Sequence, residues 1–445
     1  MPVKISCISL GCPKNLVDSE IMLGLLNPDI YKITLNINEA EVIIVNTCAF
    51  IGDAKEEAVD TILEAASLKE TGNLKTLIVA GCLAQRYRED IIQEIPEVDA
   101  VVGTGSITEI KRLIEEHMSG NKENRFYFGD PDDVEYMNNA RLLSRKGSSQ
   151  YLKIAEGCSN FCTYCIIPKL RGSFRSRTPE DILTEAKVLI KQGARELILI
   201  AQDVSRYGED CGREESLVQL IRMLSDLSEL KWIRLLYCYP ERINESLIAE
   251  MKNNPKLLNY LDIPIQHASD GILKAMGRKS RQKDLSELMK RLRSEIPDII
   301  LRTSVITGFP GETENDFETL VQFIKTNPFD RLGAFAYSRE EGTPAASMKN
   351  QIKEAIKYER RDKILDVQQE VTLSGAENRV GGNYEVLVEG VADDGIFYYG
   401  RSYGEAPEID PVIYFTSSEP LESGSFVPVE ILTLHQMDLI GEAKI

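Results

Sequence analysis

Three cysteines fall within nine residues at "GCSNFCTYC", 157–165, in a chain that holds nine cysteines in all. Cys158, Cys162 and Cys165 are separated by three and then two residues. A closed zinc site takes four protein ligands, commonly as two separated pairs. No second pair lies nearby, His267 and His435 are remote in sequence, and His117 sits at a helix end before a polar segment. Three closely spaced thiolates instead suit three irons of a 4Fe-4S cluster, normally a four-cysteine object, which leaves the fourth iron open to a substrate or cofactor. On spacing alone, zinc and metal-free readings of the same residues stand beside this one.

Three more cysteines share a different kind of placement. Residues 1–118 alternate short apolar runs with helix-like stretches: "VKISCISLGC" then "NLVDSEIMLGLL", "AEVIIVNTCAF" then "DAKEEAVDTILEAASL", "TLIVAGCLA" then "RYREDIIQEI". Strand and helix in turn is the pattern of an open parallel α/β domain. Cys12, Cys48 and Cys82 each lie just past an apolar run. Carboxyl ends of parallel strands line one edge of the sheet, where such folds place ligands, so three distant residues are expected at one site. The alternative is that each is a small buried hydrophobe, as Cys7 and Cys238 are expected to be.

After a polar segment at 119–150, read as a linker that wraps a neighbouring surface, residues 151–375 repeat the alternation. Strand candidates are "YLKIA", "RELILIAQD", "KWIRLLY", "NYLDIPIQ", "IILRTSVITG" and "RLGAFAY". Six βα units predict a partial (β/α)6 barrel with its chemistry at the carboxyl ends of the strands, and the cysteine stretch follows the first of them. Gln202, Asp203, Gln266 and Arg302 lie at or in these strands, where several polar groups converging on one mouth suggest a pocket; loop capping is the alternative for any one of them. The arginine run "RGSFRSR", Arg171 to Arg177, reads as a solvated face, with its place beside the cysteine loop admitting an anion-binding role.

Residues 377–445 change character, with β-rich segments between turns such as "ADDG" and "ESGS" that predict a small antiparallel β-barrel. Three cations, Arg379, Arg401 and Lys444, face thirteen carboxylates there, a formal −10, and the whole chain carries −18. Tyr398, Tyr399 and Tyr403 are expected to fill a core or hold a protein partner rather than stack bases. Such charge disfavours a nucleic-acid substrate in the absence of a local basic patch and favours a cationic protein. No apolar run of eighteen residues and no charged-then-apolar leader occur, so neither a membrane span nor a signal peptide is expected, and the reading is a cytoplasmic protein with reduced thiols.

With these three regions in hand, the whole chain resembles the radical S-adenosylmethionine (SAM) methylthiotransferases, through "SLGCPKNLVDSEIMLG", "AEGCSNFCTYCIIPKLRGSFRSR" and "GRSYGEAPEID". The text after the first cysteine, Pro13-Lys14-Asn15, is similar to the branch that acts on ribosomal protein S-twelve of the small subunit rather than to the tRNA-modifying branches. The resemblance implies a carboxyl-terminal TRAM barrel, two 4Fe-4S clusters held by Cys158, Cys162, Cys165 and by Cys12, Cys48, Cys82, and SAM as cofactor. It implies Tyr164 as the aromatic residue before the last cysteine, and Ile306 and Gly308 of "VITGFPGET" as SAM contacts. The implied reaction adds a methylthio group to the β-carbon of an aspartate, with a protein electron donor as partner and no separate catalytic side chain assigned. A tRNA adenosine methylthiotransferase and a non-enzymatic metal-stabilised binding factor are the rival readings. Ser205 in "QDVSRYG" stands where the family has threonine, which retains the hydroxyl.

Overall fold

The computed structural model describes residues 2–133, 135–145, 147–212 and 216–445; Val134 and Lys146 of the polar segment, and residues 213–215 beside Cys211, lie outside the described residues. The amino-terminal apolar runs form a parallel six-stranded sheet in the order Tyr31–Ile33, Val3–Ser9, Val42–Thr47, Thr76–Gly81, Ala100–Val102, Phe126–Tyr127. The strands Val42–Thr47 and Thr76–Gly81 are buried throughout, as continuous apolar strands covered on both faces should be. Ser9 pairs with Asn46 and Asn46 with Ala80, so three strand ends lie abreast. The sixth strand comes from the segment read as a linker, which also buries Tyr136 and Met137. Arg141, at its far end, bridges Glu20 of the first domain (2.6 Å) and Glu185 of the second (2.5 Å).

The second domain is an open sheet of six parallel strands in sequence order: Ser149–Lys153, Glu196–Ile200, Trp232–Leu235, Leu257–Asp262, Ile300–Thr307 and Arg331–Ala336. In the fifth strand Arg302, Ser304 and Ile306 are half-buried while Thr303, Val305 and Thr307 are buried. That period-two pattern turns one row toward the barrel lumen and the other under the helices. The helix Pro13–Gly24, buried on nearly every face, packs against these strands. Its Val17 and Ile21 join Ile198, Ile200 and Trp232 in one core shared by both domains.

A 24-residue helix, Glu354–Glu377, leads to a closed barrel of Asn383–Val391, Tyr398–Arg401, Ile413–Thr416, Asp438–Ala443 and Phe426–His435. Its pairings are antiparallel except that Ile413–Thr416 runs parallel to Asp438–Ala443. Tyr398 stacks on Phe415 inside it, and Tyr403 donates its hydroxyl to the Asp298 carbonyl of the second domain at 3.1 Å. Two of its three cations are turned inward: Arg401 pairs with Glu196 (2.8 Å) and Glu389 (2.8 Å), and Arg379 pairs with Glu405. Arg234 completes the lock on Glu196 at 2.7 Å.

Burial alone would raise the Glu196 carboxyl, but Arg401 and Arg234 hold it down to about 2. A carboxylate held low in the folded state contributes stability above its ordinary value near 4.5 and loses it as pH falls through that window toward 2. The single tryptophan, Trp232, sits edge-on to Phe426 of the small barrel at 4.8 Å between centroids. Acid titration followed by tryptophan emission is therefore expected to show a transition between about pH 4.5 and 2. In Arg401→Met that transition should move to higher pH; an unmoved transition would show that this ion-pair lock does not hold the small barrel.

Candidate active site between two cysteine triads

Apart from Cys7, within the strand Val3–Ser9, each cysteine of the first domain sits at or just beyond the end of a strand. Cys12 is the N-cap of the helix Pro13–Gly24, Cys48 follows Thr47 directly, and Cys82 opens the helix Cys82–Glu94. Helix N-termini favour thiolate over thiol. The loops close tightly because Gly11, at φ +84, has no side chain: a Cβ there would lie 2.6 Å from the Cys48 Cβ. Burial first, then the neighbouring Cys82 and Cys12, push the Cys48 thiol up to about 12. In the second domain burial raises Cys158 to about 11, and Cys165, close to Cys162 and Cys158, is raised as well. Such thiols ionise when a cation arrives to bind them, which couples iron uptake to proton release.

Among the described residues no group of three or more His, Cys, Asp or Glu closes on a point as a single metal ion requires. A cluster asks for something different, since each thiolate bonds its own iron and the sulfurs stand apart around a shared space. A side-chain donor reaches one sulfur of each set. Arg171 Nε donates to Cys82 Sγ at 3.4 Å; Arg278 Nη1 reaches Cys162 Sγ at 4.0 Å, and the Tyr239 hydroxyl lies 3.8 Å from the same sulfur. Three buried or half-buried thiols with a cationic donor at one sulfur, joined at the second set by a hydroxyl, fit an iron–sulfur cluster at each site.

The two triads are joined by buried charge. Arg171 Nη1 pairs with Asp18 and with Glu156, both at 2.8 Å, and its Nη2 donates to Asn15. Lys153 Nζ pairs with Asp18 and, at 2.9 Å, with Glu156; the Tyr136 hydroxyl donates to Glu156 at 2.8 Å. Burial would raise the Glu156 carboxyl, yet Arg171 and Lys153 hold it well below the usual range. Glu156 lies two residues before Cys158, and Asp18 six after Cys12. Arg171 is 2% exposed and Arg177 6%. The arginine run is thus interior, not a solvated face: the helix Ile167–Arg171 turns it into the domain contact.

The remaining expected site residues are at the barrel mouth with unequal freedom. Tyr164 packs beside Ile306, with Cys162 and Arg278 as charged neighbours. Gln202 donates to Glu156, but its Oε1 is buried without a partner, a vacancy suited to a ligand donor. Gln266, at φ +70, ties its backbone to Ser304 and Ile306. Asp203 is fully committed to Asn160, Ser205 and Arg242, and Arg302 to Asp262 at 2.8 Å. Gly308 departs from expectation: a Cβ there would strike the Lys357 side chain, and its amide is taken by Glu312 at 2.6 Å. The long helix leaves no room for a side chain at this position, which stands at φ +72. Sequence reasoning missed Lys14, Asp18, Lys153, Glu156, Tyr237, Tyr239 and Arg278; a charged residue inside an otherwise apolar run, as in "YLKIAEGC" and "NLVDSEIMLG", was the available signal.

A half barrel of parallel strands with three cysteines in the loop after its first strand defines a radical SAM enzyme. Family models match accordingly: the uncharacterized protein family UPF0004 over residues 4–103, the radical SAM superfamily over 152–324 and the TRAM domain over 380–443. The chain is 55% identical over 447 residues to the ribosomal protein uS12 methylthiotransferase RimO of Acetivibrio thermocellus, covering 99% of this chain and 98% of that one. It is 50% identical over 440 residues to the protein of that name from Trichlorobacter lovleyi, covering 99% and 98%. The fold is similar to that of the radical SAM methyltransferase TsrM from Kitasatospora setae, with a TM-score of 0.56 at 13% identity, over 78% of this chain and 77% of that one. The chain belongs to the RimO family of radical SAM methylthiotransferases.

Removing one member of a buried ion network leaves its partners uncompensated, at a cost of about 3–5 kcal/mol. Arg171→Met should therefore lower the stability of the metal-free chain by about that much in denaturant unfolding. Arg171→Lys, which keeps the charge and loses the fork, should fall between. Wild-type stability in Arg171→Met would mean the network does not hold the domains together.

Proposed function

We propose that this chain inserts a methylthio group at the β-carbon of an aspartate of ribosomal protein uS12. The observation that carries the proposal is the facing of two separate cysteine triads across one buried charge network, supported by relatives that share the whole length. Cys158, Cys162 and Cys165 would hold the cluster that binds SAM, and Cys12, Cys48 and Cys82 a second one. When bound, these groups supply hydrogen-atom abstraction and the sulfur to be transferred, chemistry that side-chain bases cannot perform on an unactivated carbon. The chain's own part is to orient and to exclude water. Gln202, through its free Oε1, together with Ile306 and Tyr164 at the lumen, forms the proposed SAM contact surface. Asp203, Gln266, Arg302 and Gly308 shape that surface from behind through the bonds they already make.

Charge supports a protein substrate. With Arg379 and Arg401 buried in ion pairs, Lys444 remains as the exposed cation of the small barrel, itself beside Glu430 and Glu442 at 2.8 Å. An acidic outer face of this kind favours a cationic protein over tRNA. A protein electron donor and a cytoplasmic setting, where thiols stay reduced and ribosomes are assembled, complete the reading.

Cysteine variants separate the two roles. Cys162→Ala is expected to abolish SAM cleavage, whereas Cys48→Ala should retain cleavage and lose methylthiolation; methylthiolation by Cys48→Ala would remove the second-cluster assignment. In a competition of unmodified uS12 with unmodified tRNA, read by mass spectrometry under anaerobic conditions, the adduct is expected on uS12. An adduct on tRNA would move the enzyme to the nucleic-acid branch.

A further inference from the structure

Beside the first triad, against the second domain, lies a buried cation with no carboxylate of its own. Lys14, two residues after Cys12, is 7% exposed. Among the described residues it forms no ion pair: its ammonium lies 3.4 Å from the centroid of the Tyr237 ring, with Cys12 and the like-charged Arg171 as further neighbours. Lys153 and Arg171, buried in the same contact between domains, each hold two carboxylates. Lysine is rarely buried without a counter-charge, because the lost hydration costs several kcal/mol.

The opposite wall is equally fixed. Tyr237 lies just past the strand Trp232–Leu235 at φ +62, a left-handed backbone that a tyrosine adopts only when its surroundings impose it. Its amide donates to Asp262 Oδ2 at 3.0 Å, and Asp262 is in turn held by Arg302. The ring thus gives the ammonium a soft, displaceable partner, weaker than a carboxylate in the same place.

We propose that Lys14 is the anchor for the carboxylate of the target aspartate, an assignment that rests on the aspartate-modifying reading above. The carboxylate is one bond from the β-carbon, so a cation that grips it fixes the reacting carbon. Such positioning is where much of an enzyme's rate advantage lies. Lys14 stands beside Cys12 of one triad and against Tyr237 of the other domain, so a carboxylate held there keeps its β-carbon at the contact between the domains. The anchor also selects substrate: an asparagine in the same loop would leave the lysine unpaired.

The test is a binding cycle on the reconstituted protein, anaerobic and without reductant, using synthetic peptides that span the modified aspartate of uS12 or carry asparagine there. The wild type is expected to bind the aspartate peptide at least about tenfold more tightly, as charge-assisted hydrogen bonds allow. Lys14→Met should lose that preference while binding the asparagine peptide as well as the wild type does, and Lys14→Arg should keep much of the preference. Iron content is measured on every sample. A preference that survives in Lys14→Met overturns the assignment. So does equal loss for both peptides, which would make Lys14 a counter-charge for the neighbouring cluster. If the wild type bound neither peptide and modified tRNA instead, the aspartate reading itself would fall.

Discussion

The buried network of Asp18, Lys153, Glu156 and Arg171 is the constraint on which the rest of the structure depends. All four are essentially inaccessible, and they come from three elements: the helix after Cys12, the first barrel strand with its extension, and the helix after Cys165. Four charges removed from water are tolerable only when each finds its partner in good geometry. That requirement rules out sliding or rotation of one domain on the other. It also explains why the helix Pro13–Gly24 can be buried nearly all round while carrying Lys14, Asp18 and Glu20. Each charge on it meets a partner from the second domain or the connecting segment, except Lys14, whose partner is the face of an aromatic ring.

From that fixed contact the chemistry follows. Radical chemistry needs a site from which water is excluded and in which cofactor and substrate cannot drift, and an open half barrel supplies neither by itself. Here the helix after Cys12 packs against the barrel strands, bringing Cys12 to the contact between the domains. Arg171 then touches a sulfur of one triad while belonging to the loop of the other. On the far side Arg86 and Lys55 hold Glu340 at 2.5 and 2.8 Å, tying the first domain to the loop beyond the last barrel strand. The small barrel is fixed separately, through Glu196, so that its acidic face flanks the catalytic core without entering it.

Much of this was legible in the amino-acid sequence because it is local. The spacing of Cys158, Cys162 and Cys165, the six alternating strand and helix runs, and the placement of Cys12, Cys48 and Cys82 after apolar runs each depend on a short window. What escaped depends on pairing across the chain. Nothing near Arg171 announces that its partner is Asp18, 153 residues earlier. The polar segment at 119–150 reads as irregular because its strand is two residues long and its anchor is the buried Arg141. The crowding of Gly308 by Lys357 was not legible because that helix lies about fifty residues downstream. Charged residues within apolar periodicity were the one local trace of the network.

The proposal that each cysteine triad holds a cluster, with the two held near each other by the buried charge network, is tested directly by magnetic interaction. In reconstituted protein reduced at both sites, electron paramagnetic resonance is expected to show two centres that broaden and relax each other, an interaction lost in Cys48→Ala. Spectra that are simply the sum of two isolated centres, unchanged at the radical SAM cluster when the other is removed, would contradict the account.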